Sequence, residues 1–290
     1  MIKVDEKLCL RHGSAGDGAF SLAVTPERAG WAYAGLRVLT LPAGAAHTWV
    51  TGDDELLVLP LAGSAIVTCD GEAFELQGRR DVFSRVSDFS YAPRDATVTV
   101  TSQDGGAFAI PSARCTRRLE PRYGPAQDVP VELRGAGQAS RQVNNFCSPA
   151  AFECDKLIAV EVLTPGGNWS SYPPHKHDET SEDEAELEEI YYFETEGLAY
   201  QRVYGTPGRP IDVLAEVSTG DVILIPHGWH GPSIAAPGYA LYYLNVMAGP
   251  EPVRSWRFCD DPAHAWIRGT WADQAIDPRL PLTSATEDTG

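Results

Sequence analysis

The chain has 290 residues, 43% hydrophobic and 9% aromatic, and its 23 Lys+Arg against 40 Asp+Glu give a net charge of −17. This is an ordinary globular composition, long enough for one large β-domain or two medium ones. The acidic balance argues against a nucleic-acid partner, whose phosphates need a basic footprint, and against an anionic membrane surface. No apolar run approaches the roughly 18 residues of a membrane span. The start, Met1-Ile2-Lys3-Val4-Asp5-Glu6, lacks the apolar core of a signal peptide. Six cysteines without a CxxC pair read as free thiols in a reducing cytoplasm, so a cytoplasmic location is expected.

In chain order, strands are predicted at residues 35–41, 55–61, 64–69, 73–76, 96–101 and 107–110, and then at 157–163, 188–194, 198–204, 211–217, 221–225 and 240–247. They are short, rich in β-branched and aromatic residues, and punctuated by Gly and Pro. Only residues 182–189 read as a brief helical turn. Many short strands at regular spacing predict an all-β sandwich or barrel. The pattern also repeats. Arg37-Val38-Leu39-Thr40-Leu41-Pro42-Ala43-Gly44 is echoed by Ala159-Val160-Glu161-Val162-Leu163-Thr164-Pro165-Gly166, and Asp81-Val82-Phe83 by Asp221-Val222-Ile223. Glu55-Leu56-Leu57-Val58 aligns with Glu189-Ile190-Tyr191-Tyr192, which sets Glu55 opposite Glu189. A duplicated β-domain follows, divided within the Pro-, Gly- and Arg-rich segment 111–139: an N-terminal unit over 1–120 and a C-terminal unit over 140–290.

Chemistry concentrates in the second copy. His175 and His177 are two residues apart and share one face of a strand. Glu189, opening the aromatic strand Ile190-Tyr191-Tyr192-Phe193, and the later His230 complete three nitrogens and one carboxylate for a divalent metal. The competing reading is a polar loop or hydrogen-bonded core histidines. With His175 and His177 inward, Lys176 points out and is expected to be solvated or at an interface. Asp178, Glu179, Glu186 and Glu188 fall in or beside an acidic insertion expected to be mostly surface, and His227 lies in a Pro-x-Gly turn at a pocket rim. The donor set suits zinc, and ligand type also accommodates iron, manganese or nickel.

The order Gly-rich turn, His-x-His, Glu, Gly, then Gly220-Asp221 and Pro226-x-Gly228 up to His230 is similar to the two motifs of the cupin superfamily. Further matches are His175-Lys176-His177-Asp178, Leu187-Glu188-Glu189-Ile190-Tyr191-Tyr192, Ala199-Tyr200-Gln201-Arg202-Val203-Tyr204, Ala235-Ala236-Pro237-Gly238-Tyr239, Tyr242-Tyr243-Leu244-Asn245 and Phe258-Cys259-Asp260-Asp261-Pro262-Ala263-His264. These resemble the 5-deoxy-glucuronate isomerase family of inositol catabolism, bicupins related to the 4-deoxy-uronate ketol-isomerases of pectin breakdown. The match is specific over the second half and looser over the first. Two departures from the general cupin pattern stand out: the insertion between His177 and Glu189, and a single residue between Gly228 and His230.

The resemblance implies two cupin domains (double-stranded β-helix, or jelly-roll) and a metal-dependent aldose–ketose isomerase acting on a uronate, 5-deoxy-D-glucuronate to 5-dehydro-2-deoxy-D-gluconate, through an enediol(ate). A uronate carboxylate suits a guanidinium fork. Arg202, with Tyr200 and Tyr204 on its face, is the candidate grip, against the alternative of a surface ion pair. Tyr243 and Asn245 are substrate-binding candidates or packing residues. The general base stays open among His227, Tyr191 and Glu189. Other functional classes are a cupin dioxygenase or other oxidoreductase, and a non-enzymatic sugar-binding bicupin. One metal per chain is expected, in the second barrel alone with ligand distances of roughly 2.0–2.2 Å, because the first offers only His47 and Glu55. The first barrel is expected to be packed with apolar side chains. Trp256, Phe258, Trp266 and Trp271 must cover apolar surface, either on the N-terminal domain or on a second subunit, and a homodimer is the slightly favoured state.

Overall fold

The protein is described here from a computed structural model covering residues 7–286. Strands dominate, and all pairings are antiparallel. In the first half, one nine-stranded sheet curls on itself. Its path runs Arg122–Gly124, Phe89–Ala92, Asp54–Cys69, Gly106–Arg114, Ala34–Leu41 and Phe20–Val24, with Ala45–Val50, Thr97–Ser102 and Glu72–Arg79 branching from it. In the second half, a seven-stranded sheet faces a six-stranded one. The larger runs Cys9–Leu10, Val222–Ile225, Glu188–Thr195, Leu241–Ala248, Ile158–Thr164, Arg141–Asn144 and Val131–Arg134. The smaller carries Arg209–Val217, Ala199–Thr206, Trp229–Ala235, His175–Lys176 and Cys259–Asp260, and Trp169–Ser170 also pairs with Trp229–Ala235.

Period-two alternation sorts side chains into three cores. Along Glu188–Thr195, Ile190 and Tyr192 enter a core shared by both halves, while Tyr191 and Phe193 fill the second barrel. Leu56, Val58, Val98, Val100, Phe108 and Ile110 fill the first barrel. The halves therefore pack sheet on sheet through a continuous apolar layer, pinned by a buried ion pair between Arg79 and Glu161.

Four expectations need correction. The segments 55–61 and 64–69 form one strand, Asp54–Cys69, in spite of Pro60 and Gly63. Gly63, at φ +91°, supplies a bend with a register shift rather than a turn, so the strand passes from one face of the barrel to the other. Residues 182–187 form no helical turn; the acidic insertion folds without regular structure onto Lys176. Cys9–Leu10 pairs with Ile223 and Val222, so these two residues, expected in the N-terminal unit, belong to the second half's sheet. Finally, the repeat is offset by one residue. Leu56 pairs with Ala92 as Glu189 pairs with Ile225, which makes Glu55 the counterpart of Glu188. Each of these two carboxylates reaches across to three successive backbone N–H groups of the other half: Glu55 to those of Asp155, Lys156 and Leu157, Glu188 to those of Ala32, Tyr33 and Ala34. A one-residue slip reverses every side chain, so Leu56 and not Glu55 faces the first barrel's interior.

Candidate metal centre

His175 on its short strand lies directly opposite His230 on Trp229–Ala235. His177 follows two residues on, so all three imidazoles enter the second barrel from one sheet. One ring nitrogen of each lies within 4.8 Å of the others, and all three residues are buried. From the facing sheet, Glu189 places Oε2 3.2 Å from His177 Nε2 and 3.0 Å from His230 Nε2. Asn245 Nδ2 donates to the other carboxylate oxygen at 3.0 Å.

The backbone fixes the tautomers. Nδ1 of His175, His177 and His230 faces the carbonyl oxygens of Pro173, Leu187 and Gly228 at 3.4, 3.3 and 3.3 Å. A carbonyl can only accept, so each Nδ1 carries the proton and each Nε2 turns its lone pair inward, the outer-shell arrangement of metal-binding histidines. His230 Nε2 is buried with no hydrogen bond of its own. Burial, reinforced by His230 and His177, holds His175 well below its usual pKa. Burial would raise Glu189, but the His230 and His177 imidazoles bring it down to about 2, so it is a carboxylate at any physiological pH. Three imidazole nitrogens and one carboxylate fit a divalent metal ion. Among the described residues no other group of His, Cys, Asp and Glu donors gathers this way.

Lys176 points away from the histidines, as strand parity requires, but it is buried rather than solvated. Its Nζ lies 2.7 Å from Asp178 Oδ1 and 2.9 Å from both Glu184 oxygens. Burial alone would lower its pKa; these carboxylates more than offset that and raise it. Glu184 also accepts from the backbone N–H groups of Asp178 and Glu179. Asp178 Oδ2 accepts from Gly228 N–H at 2.8 Å. The insertion thus clamps the His-x-His strand to the turn that presents His230. Asp178 is occupied by this clamp and Glu186 is exposed, so neither competes with Glu189. Lys176→Met should strand Asp178 and Glu184 and weaken metal affinity by about 10–100-fold, read by chelator competition; unchanged affinity would show that the clamp is idle.

The other predicted residues separate into two groups. Val203 pairs with His230 and shares its face, so Tyr200, Arg202 and Tyr204 lie on the opposite, outer face. Arg202 pairs there with Asp212 and donates to the Val213 carbonyl at 2.9 Å. Arg202 and Tyr200 are therefore not brought to the centre. Tyr191, Tyr243 and Asn245 are. The Tyr191 and Tyr243 rings stack at 4.9 Å, Tyr191 Oη is 2.9 Å from Ser171 Oγ, and Tyr243 Oη donates to Ser170 Oγ at 2.8 Å. Burial, with Glu189 adding to it, pushes the Tyr191 phenol well above its usual pKa. His227 sits at the rim beside Arg209 and Asp178, and burial followed by the Arg209 charge lowers its pKa.

Three participants were missed in the sequence. Ser171 adopts φ +46° to aim its hydroxyl at the tyrosines, and only Gly231 leaves room for its carbonyl, because a Cβ there would overlap that oxygen. Phe258 of the aromatic tail packs 4.8 Å from the His175 ring. Arg141, buried at 4% exposure, shares a strand face with Val143 of the second barrel's core; this alternation was the available signal. The tail itself lies over the second half, where Trp256 packs on the barrel core and Arg141 lies over Trp271.

In the first barrel, His47 and Trp49 occupy a strand opposite Val100 and Val98, and Leu56 stands where the second has Glu189. Its interior is apolar, and no donor cluster forms there among the described residues. No helix among the described residues is long and apolar enough to cross a membrane.

Residues 8–267 match the KduI/IolB family. A 5-deoxy-glucuronate isomerase of Geobacillus kaustophilus (strain HTA426) is 43% identical over 250 residues, 84% of this chain and 89% of that one. The 5-deoxy-glucuronate isomerase of Bacillus subtilis (strain 168) is 37% identical over 250 residues, 84% and 91% of the two chains. Among solved structures, an IolB-like protein from Salmonella typhimurium LT2 superposes with a TM-score of 0.83 at 35% identity, covering 90% of this chain and 98% of that one. Lactobacillus farciminis oxalate decarboxylase, a cupin, superposes at 0.62 with 14% identity over 87% and 88% of the chains, a likeness of fold alone. Two β-barrels in tandem, three histidines and a glutamate at the heart of the second, and identity running through nearly the whole length place this chain in the KduI/IolB family.

Proposed function

We propose that the protein is an aldose–ketose isomerase converting 5-deoxy-D-glucuronate to 5-dehydro-2-deoxy-D-gluconate in myo-inositol catabolism. The observation that carries this reading is the convergence of His175, His177 and His230 on Glu189, in a chain whose curated relatives bear that activity in their names. An ion held by these four side chains, for which we favour zinc, would act as a Lewis acid toward the carbonyl and adjacent hydroxyl oxygens of an α-hydroxy aldehyde.

The chain's own groups support the rest. The reaction moves the C2 proton to C1 and the O2 hydroxyl proton to O1 through an enediol, and it changes no net oxidation state. Glu189 is fixed by Asn245 and stays ionised. Tyr191 keeps its proton and is suited to donate from Oη to a substrate oxygen. Of the three candidate bases read from the sequence, Glu189 faces the histidines as a metal ligand and Tyr191 keeps its proton, which leaves His227, whose pKa burial lowers, at the rim. Phe258 packs on the His175 ring and Phe193 on Tyr243, so the barrel interior beside the histidines is apolar. Arg202 lies on the outer face, so Arg202→Ala should leave KM within about twofold of wild type; a large rise would restore it to the pocket.

The test is proton NMR of 5-deoxy-D-glucuronate incubated with purified protein under nitrogen and without nucleotide. Stoichiometric appearance of the 2-deoxy ketose is expected. Consumption of the sugar only in air would favour an oxygenase instead, and conversion of a different uronate alone would leave the isomerase class but not this substrate.

A further inference from the structure

Arg141 opens the strand Arg141–Asn144 and points into the second barrel, on the face shared with Val143, Tyr191 and Tyr243. It is 4% exposed, yet among the described residues no carboxylate lies within 4.0 Å of its guanidinium. Its hydrogen bonds are two, both from Nη1: to the Ala139 carbonyl at 3.0 Å and to that of Tyr172 at 3.4 Å. Nε and Nη2 donate to no described protein atom, which leaves three of the five N–H donors, including the parallel pair on Nε and Nη2, for something else. The contrast with other arginines is direct. Arg79, equally buried, is paired bidentately with Glu161, and Arg268 is paired with Asp260. A guanidinium taken out of water without an anion is costly, and burial brings the pKa of Arg141 down to about 10. Folded chains retain such a group where a ligand supplies the missing charge.

The surroundings fit a ligand. Trp271 lies under the guanidinium at 5.6 Å, and Ala139, Tyr172 and Trp271 line a cleft of about 420 Å³ together with Trp169 and Ile267. Ser171, next to Tyr172, bonds Tyr191 and Tyr243 beside the histidines. On the other side, contacts run without a break from His175 to Phe258, from Phe258 to Arg268, and from Arg268 to Trp271 beneath Arg141. The Arg268 charge acts on both His175 and Arg141. Arg141 and the histidines are thus linked through Tyr172 and Ser171 on one side and through Trp271, Arg268 and Phe258 on the other.

We infer that Arg141 is the carboxylate anchor of the substrate site, gripping the acid end of a uronate through Nε and Nη2 while the aldehyde end faces the three histidines. This deepens the isomerase reading and rests on it. The anchor explains how a chain of net charge −17 can select an anionic sugar. Arg–carboxylate forks are short, directional and charge-assisted, so they discriminate an acid from the neutral sugar of the same shape.

The experiment compares kcat/KM for 5-deoxy-D-glucuronate and for 5-deoxy-D-glucose, its neutral counterpart, in wild type, Arg141→Gln and Arg141→Lys, with metal content measured on each. In Arg141→Gln the uronate should lose about 10²-fold, chiefly through KM. The neutral sugar should lose far less, so the preference for the acid collapses, and Arg141→Lys should recover part of it. An equal loss on both sugars, or none on the uronate, overturns the anchor while leaving the isomerase intact. A wild type inactive on the uronate overturns both. Should neither variant fold, a crystal structure of the metal-stripped wild type with 5-deoxy-D-glucuronate reads the same contact: a carboxylate on Arg141 upholds the anchor, and one seated elsewhere overturns it.

Discussion

His230→Ala is expected to lose its metal and about 10³-fold in turnover, the worth of a Lewis acid at a developing oxyanion, while keeping the far-ultraviolet circular dichroism of the wild type. The position is central. His230 pairs with His175 across the sheet, and its ring lies 4.4 Å from that of His175 and 4.7 Å from that of His177. Its Nε2 stands 3.0 Å from Glu189 Oε2, so removal of the ring opens the only side of the donor set supplied by the strand Trp229–Ala235. The fold should survive, because that strand is held by backbone pairing to Ala199–Thr206 and Trp169–Ser170. A variant retaining both full metal content and full turnover would place the chemistry elsewhere.

The second large effect is on stability. Arg79 and Glu161 join the two halves, and both side chains are fully buried. Nη2 reaches Oε2 at 2.8 Å and Nη1 reaches Oε1 at 3.1 Å; Arg79 also donates to the Pro60 and Arg85 carbonyls, and Asn144 donates to Glu161. Gln142 extends the network to Thr283 near the end of the chain. Burial alone would lower the pKa of Arg79, but Glu161 more than compensates and raises it. Glu161→Leu leaves a guanidinium buried without an anion, which should cost about 3–5 kcal/mol and lower Tm by on the order of 10 °C. Replacing both partners, Arg79→Met with Glu161→Leu, should recover much of the loss, since neither charge is then stranded. A single variant that melts with the wild type would mean that water reaches the pair.

Where side chains obey a local period, the sequence could be read directly. His175 and His177 share a face, and Glu189, Tyr191 and Phe193 share another, because alternation depends only on neighbours. Most of the longer strands are legible for the same reason, but Phe20–Val24, Ala45–Val50, Phe89–Ala92, Val131–Arg134, Arg141–Asn144 and Trp229–Ala235 are not among the predicted strands. What required the fold was everything set by pairing across distance. Lys176 was assigned outward correctly by parity, but the acidic insertion that buries it is packed by contacts no periodicity encodes. Glu55 looked like the counterpart of Glu189 because two strands of similar composition align equally well in either register; only the pairing of Leu56 with Ala92 resolves the slip. Arg202 was placed in the cavity on chemical type, yet its face is decided by the pairing of Val203 with His230. Arg141 was passed over because the segment before it reads as linker, and its burial comes from the returning tail.

The most direct test is a titration of metal-free protein with Zn²⁺ while conversion of 5-deoxy-D-glucuronate is followed by NMR. A single centre of His175, His177, His230 and Glu189 predicts that activity rises linearly and levels off at one equivalent per chain. Full activity before any metal is added, or a rise that continues to two equivalents, would contradict it.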